Sequence, residues 1–99
     1  MAVRTMGAAG CQVYVGERAV FVPSCKPEAV VDPTGCGDAF RAGFLHGLLK
    51  GWEPVACARM GAVMGSFAVE RSGGQRHSPT REAIAKRFAD NFGGLPAGF

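Results

Sequence analysis

Charge is scarce in this chain of 99 residues: Asp, Glu, Lys and Arg together make up 19%. Eleven Lys and Arg stand against eight Asp and Glu, a net of +3, and the basic residues are scattered. Without a cationic stripe interleaved with aromatics, no nucleic-acid partner is expected. No apolar run reaches the roughly 20 residues that a membrane helix needs, because Arg, His, Lys or Glu interrupts each one. No membrane partner is expected either, and Met1 is not followed by a charged-then-apolar signal segment. Cys11, Cys25, Cys36 and Cys57 show no C-x-x-C spacing, so neither a zinc site nor a disulfide framework is expected. Reduced thiols in a cytoplasmic protein are the plain expectation. No Lys-Ser or Lys-Thr follows a glycine-rich stretch, which excludes a Walker-type phosphate loop.

What is present suits one small globular domain, with 47% hydrophobic residues. Residues 2–5 read as a short strand. Cys11-Gln12-Val13-Tyr14-Val15 alternates, Gly16-Glu17 marks a tight hairpin, and Arg18 to Val22 returns. Ala29-Val30-Val31 reads as a short buried strand. A helix is predicted from about Asp38 to Lys50, apolar nearly all round and therefore buried, with Gly51 as its stop. Its Gly43 and Gly47 lie on one face and permit close backbone approach. Pro54 opens a second helix, rich in small residues, that runs to about Glu70. Ser78 is placed to cap a third helix, with Pro79 at its first position. Ile84, Ala85, Phe88, Ala89 and Phe92 form its apolar stripe. Residues 93–99 read as a frayed tail. Strands followed by helices indicate an α/β or α+β fold.

The chemistry concentrates in Asp32-Pro33-Thr34-Gly35-Cys36-Gly37-Asp38, placed just before the first helix. Glycine lets a backbone approach a ligand closely, and the amides of a helix's first turn lack partners within the helix. Together with the helix dipole they form a site for phosphate or a developing oxyanion. An aspartate would repel phosphate there, so Asp38 needs another reason. It is either a plain helix N-cap or a base that takes a proton from a hydroxyl attacking a phosphoryl group, and the roles are compatible.

This segment, continued by Ala42-Gly43-Phe44-Leu45, resembles the second signature of the ribokinase-like (PfkB) kinases, D-T-x-G-A-G-D followed by an apolar helix. Pro33 stands at the second position and Cys36 where a small residue such as Ala is usual. The resemblance implies the C-terminal part of an α/β/α sandwich, with residues 1–99 as the ATP-binding and catalytic portion of a truncated kinase domain. The implied activity is transfer of the ATP γ-phosphate to a sugar or nucleoside hydroxyl. Asp38 would be the general base, and the amides of Gly35, Cys36 and Gly37 the anion hole. Thr5-Met6-Gly7-Ala8-Ala9-Gly10 resembles the family's T-x-G-x-x-G stretch, which places Thr5, Gly7 and Gly10 against ATP; read alone, it is equally an ordinary hairpin turn. Ala62 and Gly65 match a segment that makes room for adenine, although small residues on a helix also serve close packing.

Asp32 and Thr34, with Ala68, Arg71, Gly73 and either His77 or Ser78 after the second helix, match positions that hold a monovalent cation such as K+. Taken alone, Asp32 and Thr34 could simply pin a turn. Mg2+ is implied by phosphoryl transfer, with ligands upstream. Glu70-Arg71-Ser72-Gly73-Gly74-Gln75-Arg76-His77 is similar to the bacterial adenosine or nucleoside kinase branch. A homodimer would form through parts of the family domain lying beyond this stretch. The alternative is a catalytically inactive remnant with weak or no nucleotide binding.

Overall fold

The alternating stretch from Gly10 and its return after Gly16-Glu17 form the centre of an antiparallel sheet. The structure is a computed structural model, and it describes residues 2–5, 9–25, 36–69 and 80–94. Strands β1 (Ala2–Thr5), β2 (Gly10–Val15) and β3 (Arg18–Pro23) pair in the order β1-β2-β3. Gly16 takes φ +60, a left-handed conformation that suits glycine in the hairpin turn. The register sets Cys11 opposite Val22 and Val13 opposite Val20. Cys11, Val13 and Val22 are buried on one face, while Gln12 and Tyr14 occupy the other, where the Tyr14 hydroxyl donates to Gln12 Oε1 at 2.6 Å. The predicted strand at 29–31 lies outside the described residues.

Helices α1 (Cys36–Leu49), α2 (Pro54–Val69) and α3 (Arg81–Phe92) complete the described chain. The second of these is the hub. On one side its Ala58 joins Cys11, Val13 and Val22 in a core under the sheet, with Phe40, Phe44 and Val55 packed against it. On the other, Cys57, Met60 and Val63 join Cys25, Trp52 and Phe88. Gly51, at φ +77, ends the first helix, and Trp52 turns back into the core with its amide bonded to the Gly47 carbonyl at 3.0 Å.

Two expectations need correction. The first helix begins at Cys36 rather than Asp38 and is not buried all round. It buries the face carrying Gly43 and Gly47, while Leu45 is 54% and Leu49 82% exposed. The glycines draw α2 against their own side, and the leucines face away from it. The cap of the third helix is Thr80, whose Oγ1 accepts the Ala83 amide at 3.1 Å, so the helix begins at Arg81. Ser78 and Pro79 lie outside the described residues. Gly93, at φ +87, closes that helix by donating its amide to the Ala89 carbonyl, and residues 95–99 of the expected tail lie outside the described residues.

Candidate active site

Three glycines decide how the first two helices meet. A Cβ added at Gly43 would stand 2.7 Å from the Met60 carbonyl oxygen, and one at Gly47 would stand 2.8 Å from Cys57 Sγ. One added at Gly61 would stand 2.8 Å from the Phe40 carbonyl oxygen. Phe40, Gly43 and Gly47 thus face Gly61, Met60 and Cys57 in turn, an antiparallel pairing. The first turn of α1, with Cys36, Gly37 and Asp38, therefore lies at the same end of the molecule as the last turns of α2, with Ala62, Gly65 and Ala68. Helix length puts the opposite end of α1 about 20 Å away. An open cleft of about 360 Å³ lies there, lined by Trp52, Glu53, Ala56, Arg59 and Phe88. None of the described predicted site residues lines it.

Gly37 is exposed, and a Cβ there would meet nothing within 4 Å. Packing among the described residues makes no demand for glycine at that position. The first-turn amides have no acceptor inside the helix, and donors of that kind suit an anion. Asp38 is 84% exposed beside them, and its Oδ1 accepts from Arg41 Nη1 at 2.8 Å. Arg41 was readable only as an i,i+3 partner of Asp38.

The glycine-rich stretch joins the first two strands. Thr5 closes β1 opposite Cys11, and Gly10 opens β2 opposite Pro23. Gly10 takes φ +131, and a Cβ there would stand 2.2 Å from the Val22 carbonyl oxygen. Ser24 donates its amide to the Ala9 carbonyl at 3.4 Å, which ties this turn to the chain leading into the Asp32–Asp38 segment. Gly7, Asp32, Thr34, Gly35, Arg71, Gly73, His77 and Ser78 lie outside the described residues. Ala62 and Gly65 are half-buried and Ala68 is buried. Small residues on α2 thus serve packing at Gly61, as the simpler reading holds, and leave partial exposure at Ala62 and Gly65.

Just below, Ser66 is buried, donates to the Val63 carbonyl at 2.7 Å and accepts from Arg87 Nη1 at 3.0 Å. The Arg87 guanidinium also lies 3.8 Å from the centre of the Phe67 ring. No sequence signal pointed to this pair, because its members are 21 residues apart. Burial pushes the Cys25 thiol up to about 11, with the Arg87 charge acting against it. Burial also raises Cys11 and Cys57. The three thiols are free. His46 is exposed, with its ring edge-on to Trp52. No described helix is long and apolar enough to cross a membrane.

Comparison with known proteins adds the wider setting. Residues 1–81 match the pfkB family carbohydrate kinase pattern. A nucleoside kinase of Methanocaldococcus jannaschii is 39% identical over 84 residues, which cover 85% of this chain and 28% of that protein. The solved structure of a Burkholderia thailandensis nucleoside kinase in complex with inosine superposes with a TM-score of 0.89 at 36% identity. It covers 97% of this chain and 32% of that one. The same kinase in complex with ADP-inosine gives the same TM-score over 98% of this chain and 30% of that one. The chain thus spans about a third or less of the length of these relatives.

Proposed function

The chain belongs to the pfkB carbohydrate kinase family, and from that premise we propose that it supplies the nucleotide-binding and phosphoryl-transfer end of a kinase acting on a nucleoside or sugar hydroxyl. The observation that carries this reading is the antiparallel glycine-mediated pairing of the first two helices. It brings the first turn of α1, with Gly37 and Asp38, to the same end as the last turns of α2, with Ala62 and Gly65, and this supports the reading. The open cradle at Gly37 fits the phosphates of ATP, and the half-buried small residues leave room for a flat base. Relatives named nucleoside kinases, one of them solved with inosine, favour a nucleoside as the acceptor.

In this mechanism Asp38 takes the proton of the acceptor hydroxyl as its oxygen attacks the γ-phosphorus. The bond to the leaving ADP oxygen breaks as the new P–O bond forms. Proton removal of this kind contributes about 10²–10⁴-fold in rate. The amides of Gly35, Cys36 and Gly37 stabilise the charge on the transferring group, a contribution that is often larger. Arg41 holds one carboxylate oxygen and so orients the other. Thr5, Gly7 and Gly10 contact the nucleotide from the sheet side. Mg2+, when bound with the nucleotide, neutralises charge on its phosphates. Asp32, Thr34, Ala68, Arg71 and Gly73 are assigned to a monovalent cation beside the cradle.

A second reading, an inactive remnant with weak or no nucleotide binding, draws on the exposed Leu45 and Leu49, an apolar face with nothing described against it. Thermal unfolding with and without Mg-ATP separates the two. A ligand at a hundred times its dissociation constant adds about 2.7 kcal/mol of stability. An upward shift, with ADP released from ATP in the presence of inosine and lost in Asp38→Asn, supports the kinase. A cooperative transition that Mg-ATP leaves in place supports the remnant.

A further inference from the structure

Arg87 plays no part in the proposed chemistry, yet it holds the last turns of α2 by two contacts. Its Nη1 donates to Ser66 Oγ at 3.0 Å, and its guanidinium lies 3.8 Å from the centre of the Phe67 ring. The next residue, Phe88, fixes the backbone by burying in the core that also contains Cys25, Met60 and Val63. Cys25 follows the last strand and leads into the Asp32–Asp38 segment, and the Arg87 charge reaches its thiol. One side chain of the third helix therefore reaches both the last turns of α2 and the chain that follows the last strand.

Ser66 makes this link consequential. Its hydroxyl bonds back to the Val63 carbonyl at 2.7 Å, an arrangement that tends to bend a helix. Ser66 lies one turn after Ala62 on the same face and directly follows Gly65. The hydroxyl has one proton to give, and by donating to it Arg87 leaves that proton to the Val63 carbonyl. The shape of α2 at Ala62 and Gly65 is thus set through Ser66.

We propose that Arg87 is a positioning residue for nucleotide binding, acting through Ser66 and Phe67 to hold the Ala62–Gly65 wall in the shape that accepts the base. This rests on the reading of that wall given under the proposed function. The alternative is a staple between helices, which would affect stability alone.

The test is calorimetric titration of the full chain with Mg-ATP, at a temperature where every variant is folded by circular dichroism. Arg87→Met keeps the apolar stem and removes the donor, while Ser66→Ala removes the acceptor. Each is expected to weaken Mg-ATP by about tenfold, the scale of one charge-assisted hydrogen bond. The double variant is expected to be no weaker than Arg87→Met alone, because both act on one link. Dissociation constants within twofold of wild type, with unfolding midpoints lowered, would overturn the inference and leave the nucleotide reading standing. A wild-type chain that binds no Mg-ATP would overturn that reading, and this inference with it. Where Arg87→Met does not fold, Ser66→Ala alone decides by the same twofold criterion.

Discussion

Gly61 lies directly beneath the carbonyl oxygen of Phe40, with the Phe40 ring edge 2.9 Å from where a Cβ would stand. The contact binds the first helix to the second at the end that carries the candidate site. Ala at position 61 gains about 1 kcal/mol in helix propensity, but the new methyl group meets backbone that cannot rotate away. Overpacking of this kind costs about 1–3 kcal/mol. Gly61→Ala is therefore expected to lower the thermal midpoint, by several degrees where overpacking dominates. A midpoint at or above wild type in a circular dichroism melt would refute the contact.

Gly37 is expected to behave in the opposite way. Nothing among the described residues stands near its missing Cβ, so Gly37→Ala should leave the thermal midpoint unchanged or raise it slightly through helix propensity. The same methyl group would intrude on the amides proposed to hold phosphate. Mg-ATP affinity is expected to fall at least tenfold, measured by titration calorimetry. Unchanged affinity would remove Gly37 from the site.

Thr80 supplies a cleaner stability test. Its Oγ1 accepts the Ala83 amide, and Thr80→Ala deletes that bond while leaving the helix sequence intact. The expected loss is about 1 kcal/mol in chemical denaturation, with Thr80→Ser retaining most of the stability. Equal midpoints for Thr80→Ala and wild type would mean that the cap lies elsewhere.

The buried thiol of Cys25 predicts a loss of stability in alkali. Its pKa is raised from 9.0 to about 11 in the folded protein, mainly by burial. The unfolded chain therefore ionises this thiol first and binds fewer protons across that range, which makes stability fall as pH rises. The contribution is fully present below about pH 9 and is lost progressively toward pH 11. Cys25→Ala should show a shallower fall in denaturant midpoint between pH 8.5 and 11, and parallel curves would contradict the assignment. Cys11 and Cys57, also raised by burial, retain their own contributions in both proteins.

Local signals carried much of the fold. Alternation marked β2, and a glycine at the turn marked the hairpin. Gly51 marked a helix end, and the four-residue spacing of Gly43 and Gly47 marked the face that meets α2. The exposure of Leu45 and Leu49 was not legible, because an apolar helix states what it prefers and not which neighbours cover it. The cap of the third helix was ambiguous for a local reason: Ser78 and Thr80 are both good caps two residues apart. At the site, Asp38 and the glycines around it could be read from spacing, and Arg41 from helical geometry. Arg87 and Ser66 could not, since their meeting depends on how two helices dock.

The glycine seam between the first two helices also restricts movement. With backbone and the side chains of Phe40 and Met64 close against Gly43 and Gly61, and Cys57 and Trp52 closed against Gly47, the pair has little room to slide or rotate. The carboxylate of Asp38 and the wall at Ala62 and Gly65 must travel together as one solid piece. Under the proposed function, a gap that admits a nucleotide would have its hinge outside this pair.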